Sequence, residues 1–296
     1  MSAGAIERIA LIGTGLIGSS IGLALRAQGF AGPITGWDRD PAEAALAQRR
    51  GAVDAVAADP LAAARASDVI VLATPVFAIL DWMEKLAPAL GPGQLVTDVG
   101  STKRLICERA AALFPGPEPG PGRAAFLPGH PMAGKEVQGA AAADAQLFQG
   151  AVWLFAPPAN EAAAPALAAA WRGWVERLGS RLVEVAPDRH DELCAWASHL
   201  PQMVGTALAA LLEDSFGASA GSLGELRDVG GRALREMTRL GASPFSMWRD
   251  IAHTNPAAIA ATLLALEQRL AHLRRNLTQP ALREEFERAN QFRRSF

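Results

Sequence analysis

Arg8-Ile9-Ala10-Leu11-Ile12-Gly13-Thr14-Gly15-Leu16-Ile17-Gly18, with the helical pattern after it and Ile34 to Asp38 beyond, is the stretch that decides the fold. A short apolar run enters a glycine turn, the turn opens a helix, and Asp38 stands 20 residues after the last glycine. Strand, turn, helix and acid come in the order that a dinucleotide site needs. Gly13 permits the tight turn, Gly15 lets the backbone approach a pyrophosphate, and Gly18 lets the helix pack on the strand. The N–H groups of the first turn, at Leu16 and Ile17, face the phosphates, where the helix dipole favours negative charge. Asp38 can accept hydrogen bonds from ribose hydroxyls. It repels a 2′-phosphate, so NAD is the expected cofactor, while Arg39 beside it keeps NADP possible. A glycine turn that binds nothing is the alternative, and it leaves the agreement of strand, helix and acid unexplained.

The alternation continues outward. Ile34 to Asp38 reads as a second strand and Pro41 to Arg50 as a helix with Pro41 at its start. Val69 to Ala73 is a continuous apolar run, as in a parallel strand buried on both faces, and Thr74-Pro75 stops it. Phe77 to Leu90 has helical spacing, Gln94 to Val99 is another buried strand, and Gly100 to Lys103 turns into a helix. Residues 115–123 form a proline and glycine loop. Ala125 to Leu127 is a short strand entering Gly129-His130-Pro131. Ala151 to Phe155 and Arg181 to Val185 are two more strands, with a helix at 161–178 between them. After Pro187 the strand signals end, and helices are expected at 188–215, 222–240, 244–274 and 280–294. The predicted architecture is α/β: a Rossmann-type parallel-sheet domain over residues 1–186, then an all-helical domain over 187–296.

Bulk properties narrow the functions. The 296 residues suit two domains, and a net charge of −2 gives no support for binding nucleic acid. No apolar stretch reaches the roughly 20 residues of a membrane span, and the first residues lack a signal-peptide pattern. Cys107 and Cys194 have no metal or redox spacing, so no metal site is expected, and the protein is expected in the cytoplasm with both thiols reduced. There is no tyrosine, which excludes Tyr–Lys proton donation to a carbonyl. Any histidine chemistry must use one of His130, His190, His199, His253 and His272.

Ligands of open parallel sheets sit beyond the carboxyl ends of the strands. Three segments end there with polar chemistry: Thr74-Pro75, Gly100-Ser101 and Gly129-His130. A neutral His130 can take a proton from an alcohol as hydride leaves its carbon, and Ser101 can orient that ring or bind the same oxygen. Ser101 can equally cap the helix that follows. In the helical half, Pro201 cannot donate to the Ala197 carbonyl, so a kink is expected there. His199, just before it, reads from the residues alone as a hydrogen-bonded core histidine. Arg232, Arg235 and Arg239 share a helical face that either clamps a carboxylate or is a solvated charged face with Glu236.

These motifs resemble the prephenate/arogenate dehydrogenase family of tyrosine biosynthesis, over nearly the whole chain. Gly15 to Ser20, Asp98 to Lys103, Gly129 to Gly134 with Glu136, Ser198 to Pro201, Thr238-Arg239 and Met247 to Ile251 carry the resemblance. It implies NAD(P)-dependent oxidative decarboxylation of a cyclohexadienol, prephenate or arogenate. It also implies a homodimer formed through the helical domain. By the same resemblance His130 takes the hydroxyl proton beside Ser101, and Arg239 binds a substrate carboxylate. Glu136, His199, Gln202 and Trp248 then belong to the substrate site, Trp248 from the partner subunit; an ordinary core tryptophan is the alternative. Gln202 stands where many prephenate-using members have histidine, which leaves the choice of substrate open. Arg232 and Glu236 replace a family glycine and aspartate. No fused mutase domain before the fingerprint and no regulatory domain after Phe296 are expected.

Two other readings compete. A β-hydroxyacid-type dehydrogenase usually relies on a lysine in its helical domain, but the only lysines are Lys85, Lys103 and Lys135. A non-catalytic nucleotide-sensing dimer would need the fingerprint and neither His130 nor Arg239.

Overall fold

In the computed structural model, which describes residues 5–115 and 123–295, six strands form one parallel sheet. They are β1 (Ile9–Ile12), β2 (Ile34–Trp37), β3 (Ala55–Val56), β4 (Val69–Leu72), β5 (Leu95–Asp98) and β6 (Ala125–Leu127), in the order β3-β2-β1-β4-β5-β6. Helices α1 (Leu16–Ala27), α2 (Pro41–Arg49), α3 (Pro60–Arg65), α4 (Val76–Leu86) and α5 (Arg104–Leu113) make the crossovers. Strand residues alternate between two cores. Ile9, Leu11, Val69 and Val71 pack on one face with Ile21 and Leu25 of α1. Ala10, Ile12, Ile70 and Leu72 pack on the other with Ile79 and Met83 of α4. Burial on both faces is why these strands read as unbroken apolar runs.

Register then places the site. Ile12 pairs with both Trp37 and Leu72, and Leu72 pairs with Asp98. The chain therefore leaves β1, β2, β4 and β5 along one row, which brings Gly13, Asp38, Thr74 and Gly100 to one edge. The strand order reverses between β1 and β4, where a crevice opens.

The strands expected at 151–155 and 181–185 do not extend this sheet. With β7 (Gly129–Pro131), β8 (Val152–Phe155) and β9 (Arg181–Glu184) make a separate three-stranded sheet, β7 antiparallel to β8 and β8 parallel to β9. Pro128 has no N–H to continue the first ladder, so the chain departs there. Helix α6 (Pro165–Arg177) covers this sheet through Trp171, and Trp153 and Phe155 join the α1 core. The proline and glycine loop expected at 115–123 lies almost wholly outside the described residues.

The remaining chain is helical, but three of the expected helices are each divided. Over 188–215 the structure has α7 (Pro187–Cys194), a π-helical turn (Ala195–His199) and α8 (Leu200–Phe216). The widened turn falls directly before Pro201, whose missing N–H it absorbs, and is the kind of helix distortion that accompanies a proline. Over 222–240 there are α9 (Ala220–Val229), α10 (Gly231–Thr238) and a 3₁₀ turn (Arg239–Ala242), the break falling at Gly230-Gly231. Over 244–274 there are α11 (Phe245–Thr254) and α12 (Pro256–Arg275), because Pro256 forces Asn255 out of helical geometry. α13 (Ala281–Arg293) ends the described chain. Among the described residues no helix is long and apolar enough to cross a membrane.

Candidate active site

The glycine turn has the shape of a phosphate cradle. Gly13 has φ +97°, and a Cβ there would stand 2.4 Å from the Ala73 carbonyl oxygen. A Cβ on Gly18 would lie 1.9 Å from the Gly13 oxygen, whereas one on Gly15 would meet nothing within 4 Å. The space in front of Gly15 is therefore open. Helix α1 begins there with no side-chain cap and no acid in its first turn, so the N–H groups at Leu16, Ile17 and Gly18 have no intrahelical acceptor. A diphosphate fits these donors. Asp38 closes the turn by accepting from the Thr14 N–H at 2.7 Å and the Asp40 N–H at 3.0 Å, which fixes its charge beside the crevice. Arg39 is exposed next to it. The Thr74 hydroxyl at the same edge is buried without a hydrogen-bond partner. Pro75 is the N-cap of α4, and Asp250 of α11 accepts from the Phe77 N–H at 3.2 Å, so the helical half caps a nucleotide-half helix.

Asp98, at the end of β5, ties the next two segments together. One oxygen accepts from the Gly129 N–H at 3.1 Å, and the other accepts from the Gly100 N–H at 2.8 Å and from Lys103 Nζ at 2.5 Å. Gly129 must be glycine for this approach, since a Cβ would stand 2.9 Å from the Asp98 carbonyl oxygen. Lys103 and Asp98 are both fully buried. Ser101 does not cap α5. That helix begins after Lys103, and Asp191 of α7 accepts from the N–H groups of Lys103 at 2.6 Å and Arg104 at 3.1 Å. The Ser101 hydroxyl, half-buried, makes no hydrogen bond to another described residue.

His130 sits on β7, in register with Leu154, and is buried. Its Nδ1 is 2.9 Å from Nε2 of His190, and Nδ1 of His190 is 2.8 Å from Asp191 Oδ1. Burial first, then His190, Lys103 and His199 nearby, hold the His130 imidazole well below its ordinary range. It is neutral at neutral pH, as a proton acceptor must be. Cys194 Sγ lies 3.7 Å from His190 Nε2 and 3.9 Å from His130 Nδ1. These three ligand atoms all fall within 4.8 Å of one another, a donor set that zinc accepts. Burial pushes the Cys194 thiol up to about 12, so it stands protonated beside a histidine pair already at hydrogen-bond distance.

The opposite wall comes from the helical half. His199 is buried, and its Nδ1 faces Asn255 Nδ2 at 3.4 Å, which agrees with its reading as a hydrogen-bonded core histidine. Asn255 Nδ2 also donates to the Asp191 carbonyl at 2.8 Å, which orients the amide and leaves His199 Nδ1 as an acceptor. The proton is then on Nε2, which is buried without a partner, as is Trp248 Nε1. The two rings meet edge to face at 5.9 Å within one chain. Buried orphan donors are groups that a ligand or a bound water would satisfy.

Gln202 is also buried, but its amide nitrogen is taken by the Leu240 carbonyl at 2.7 Å and the Thr206 hydroxyl at 3.1 Å. It fixes the 3₁₀ turn that carries Arg239. Arg239 pairs with Glu136 across the two halves. The three-arginine face does not converge: Arg232 pairs with Glu236 in solvent, Arg235 is exposed, and Arg239 lies beyond the end of α10. Sequence reasoning missed His190, Asp191, Asp98 and Lys103 as members of this site. The count of five histidines was the one signal pointing to His190.

Two family models divide the chain. The model described as prephenate dehydrogenase, nucleotide-binding domain, matches residues 21–184, and the one described as prephenate dehydrogenase, dimerization domain, matches 186–291. Prephenate dehydrogenases of Lactococcus lactis subsp. cremoris and Bacillus subtilis are 31% and 32% identical over 90% and 83% of this chain, which spans 70% and 63% of their lengths. A Synechocystis arogenate dehydrogenase structure is 31% identical with a TM-score of 0.74, covering 97% of this chain and 99% of that one. A prephenate dehydrogenase from A. aeolicus, in complex with hydroxyphenyl propionate and NAD+, is 26% identical with a TM-score of 0.83, covering 98% of each.

Proposed function

The chain belongs to the prephenate dehydrogenase family, and from that premise we propose that it oxidatively decarboxylates prephenate or arogenate with NAD+. Residues 1–186 bind the nucleotide, and 187–296 supply substrate contacts and the homodimer. Val229, Phe245, Leu211 and Phe286 are exposed apolar side chains of that half and give a dimer surface its material. We place the enzyme in the cytoplasm, with both cysteines free. No nucleic acid partner is assigned.

The bound cofactor supplies one piece of chemistry, acceptance of hydride from the hydroxyl-bearing ring carbon. The chain does the rest. Leu16, Ile17 and Gly18 offer N–H groups to the diphosphate, Asp38 accepts from the ribose, and Thr74-Pro75 borders the crevice. His130 takes the hydroxyl proton as the C–H bond breaks, with Ser101 hydrogen-bonding the same oxygen. Loss of CO2 from the ring then leaves an electron pair that aromatises it, and His130 returns the proton to the phenolic oxygen. Arg239 exchanges Glu136 for a substrate carboxylate, and Trp248, His199 and Gln202 shape the pocket around the ring and its side chain.

The observation that carries this reading is the buried, neutral His130 on the strand that Asp98 ties to the end of β5, beside the row of strand ends that bears the glycine turn. The test is a comparison of rates for the purified chain with prephenate and arogenate, each with NAD+ and NADP+, read at the reduced-nicotinamide band. Turnover of at least one substrate with NAD+ preferred is expected. Silence with both defeats the proposal. A β-hydroxyacid dehydrogenase is disfavoured because Lys103, the nearest lysine, is fully buried against Asp98.

A further inference from the structure

We propose that His190, backed by Asp191, is a positioning residue that holds the His130 ring as its Nδ1–H tautomer, leaving Nε2 as a bare lone pair for the substrate hydroxyl. The inference deepens the function proposed above and rests on it for its kinetic arm.

The argument runs along the hydrogen-bond chain from its fixed end. Asp191 faces three donors: the N–H groups of Lys103 and Arg104 and the ring of His190. Burial opposes its charge, but the bonds from His190, Lys103 and Arg104 prevail and hold the carboxyl below the ordinary range. An ionised carboxylate only accepts, so Nδ1 of His190 carries a proton. Burial keeps His190 neutral, and a neutral imidazole has one N–H. Nε2 of His190 is therefore an acceptor. It stands 2.9 Å from His130 Nδ1, and that contact is a hydrogen bond only if His130 Nδ1 donates. With Nδ1 protonated and the ring neutral, Nε2 of His130 has no proton.

The other tautomer would set two lone pairs against each other at 2.9 Å. The remaining proton source nearby, the Cys194 thiol, is 3.7 Å from one nitrogen and 3.9 Å from the other. That is the far edge of a weak sulfur bond, and it cannot replace the direct one. A histidine free in water prefers its proton on Nε2, where it could not act as the base here. The partner at Nδ1 decides the matter, and His190 is that partner. The geometry is held from both sides: β7 is paired to β8, and Asp191 is clamped to the start of α5.

The test uses the full chain labelled with ¹⁵N-histidine. Long-range ¹⁵N–¹H spectra are expected to show His130 protonated at Nδ1 and pyridine-like at Nε2, whether or not a substrate is known. His190→Leu should transfer the proton to Nε2 and lower kcat about 10–100-fold, part of the 10²–10⁴-fold that a base supplies. KM for NAD+ should not move. His190→Gln, whose side-chain oxygen can accept from Nδ1–H, should restore most of the rate. Adding His190→Leu to His130→Asn should cost nothing further, because His190 acts through His130. A wild-type His130 protonated at Nε2 overturns the proposal, and so does zinc bound stoichiometrically between the two rings. Equal losses in the Leu and Gln variants, or additive losses in the double variant, do the same. Absence of turnover with either substrate would remove the proposed function, and the wild-type spectrum alone would still decide this inference.

Discussion

On the sheet side of the cleft, Gly13, Asp38, Thr74 and Gly100 leave strands whose last residues pair in one row. On the helical side, His190, Asp191, Asn255 and Asp250 are held by side-chain hydrogen bonds that cross between elements. Main-chain register tolerates the loss of a side chain, because the ladder survives it. A wall held by a few buried polar bonds does not, since each broken bond strands a donor or acceptor away from water. Substitution on the first side should therefore change chemistry and leave the shape intact, and substitution on the second should change both.

The largest effect tests the first half of that contrast. His130→Asn should lower kcat about 10²–10⁴-fold, the usual worth of general acid–base assistance, while NAD+ still binds. Stopped-flow rates and nucleotide titration on one preparation check it. A lost nucleotide affinity would mean that β7 shapes the crevice as well as carrying the base. Asp98 sharpens the contrast because it is a strand residue that works through its side chain. Asp98→Ala leaves Lys103 charged, buried and unpaired, which typically costs about 3–5 kcal/mol. Urea unfolding should show that loss, and Lys103→Met in the same chain should recover much of it. A stable single variant would mean that water reaches Lys103.

The same contrast explains what could be read in advance. The nucleotide half was legible because its signals are local: a run of apolar residues, three glycines and an acid within residues 8–38. The parallel sheet follows from them, whereas the separate β7-β8-β9 sheet turns on one proline at 128. His130 could be picked out by the strand before it. His190 could not, because its partner lies 60 residues away and its neighbour Asp191 looks like any acid in a helix's first turns. Helix periodicity carried the reading through Gly230-Gly231 and Asn255-Pro256, where backbone geometry stops the helix. Gln202 looked like a group for the substrate, and its amide nitrogen is bonded to the turn below Arg239.

Acid should expose the helical wall next. Burial first, against a partly compensating Asp191, takes His199 down to about 4. Its folded value lies below its unfolded one near 6.5, so between these limits the unfolded chain binds more protons. Stability is full above about pH 6.5 and falls as pH drops toward 4, by on the order of 3 kcal/mol for this one group. Burial lowers His130 and His190 too, so their contributions have the same sign. Denaturant midpoints from pH 7.5 to 4.5 measure the slope. His199→Gln, which stays uncharged, should flatten it; an unchanged slope would place the proton uptake elsewhere.

The smallest effect belongs to the sheet side, where the shape should not change at all. Asp38 holds a fixed negative charge at the end of β2, with one oxygen on the Thr14 N–H and the other on the Asp40 N–H. A 2′-phosphate would meet that charge at a few ångströms, near the surface, where two like unit charges repel by roughly 1–4 kcal/mol. Asp38→Asn removes the repulsion and leaves Arg39 exposed beside the same ribose position. The ratio of kcat/KM for NADP+ over NAD+ should rise about tenfold, equivalent to about 1.4 kcal/mol. Most of that change should come from better NADP+ use, since Asn can still offer one oxygen to a ribose hydroxyl. Arg39→Ala should lower NADP+ use in both backgrounds. If the Asn variant loses NAD+ and NADP+ activity alike and also melts lower, Asp38 is needed to hold the Thr14 turn. The sheet side would then depend on a side chain just as the helical side does.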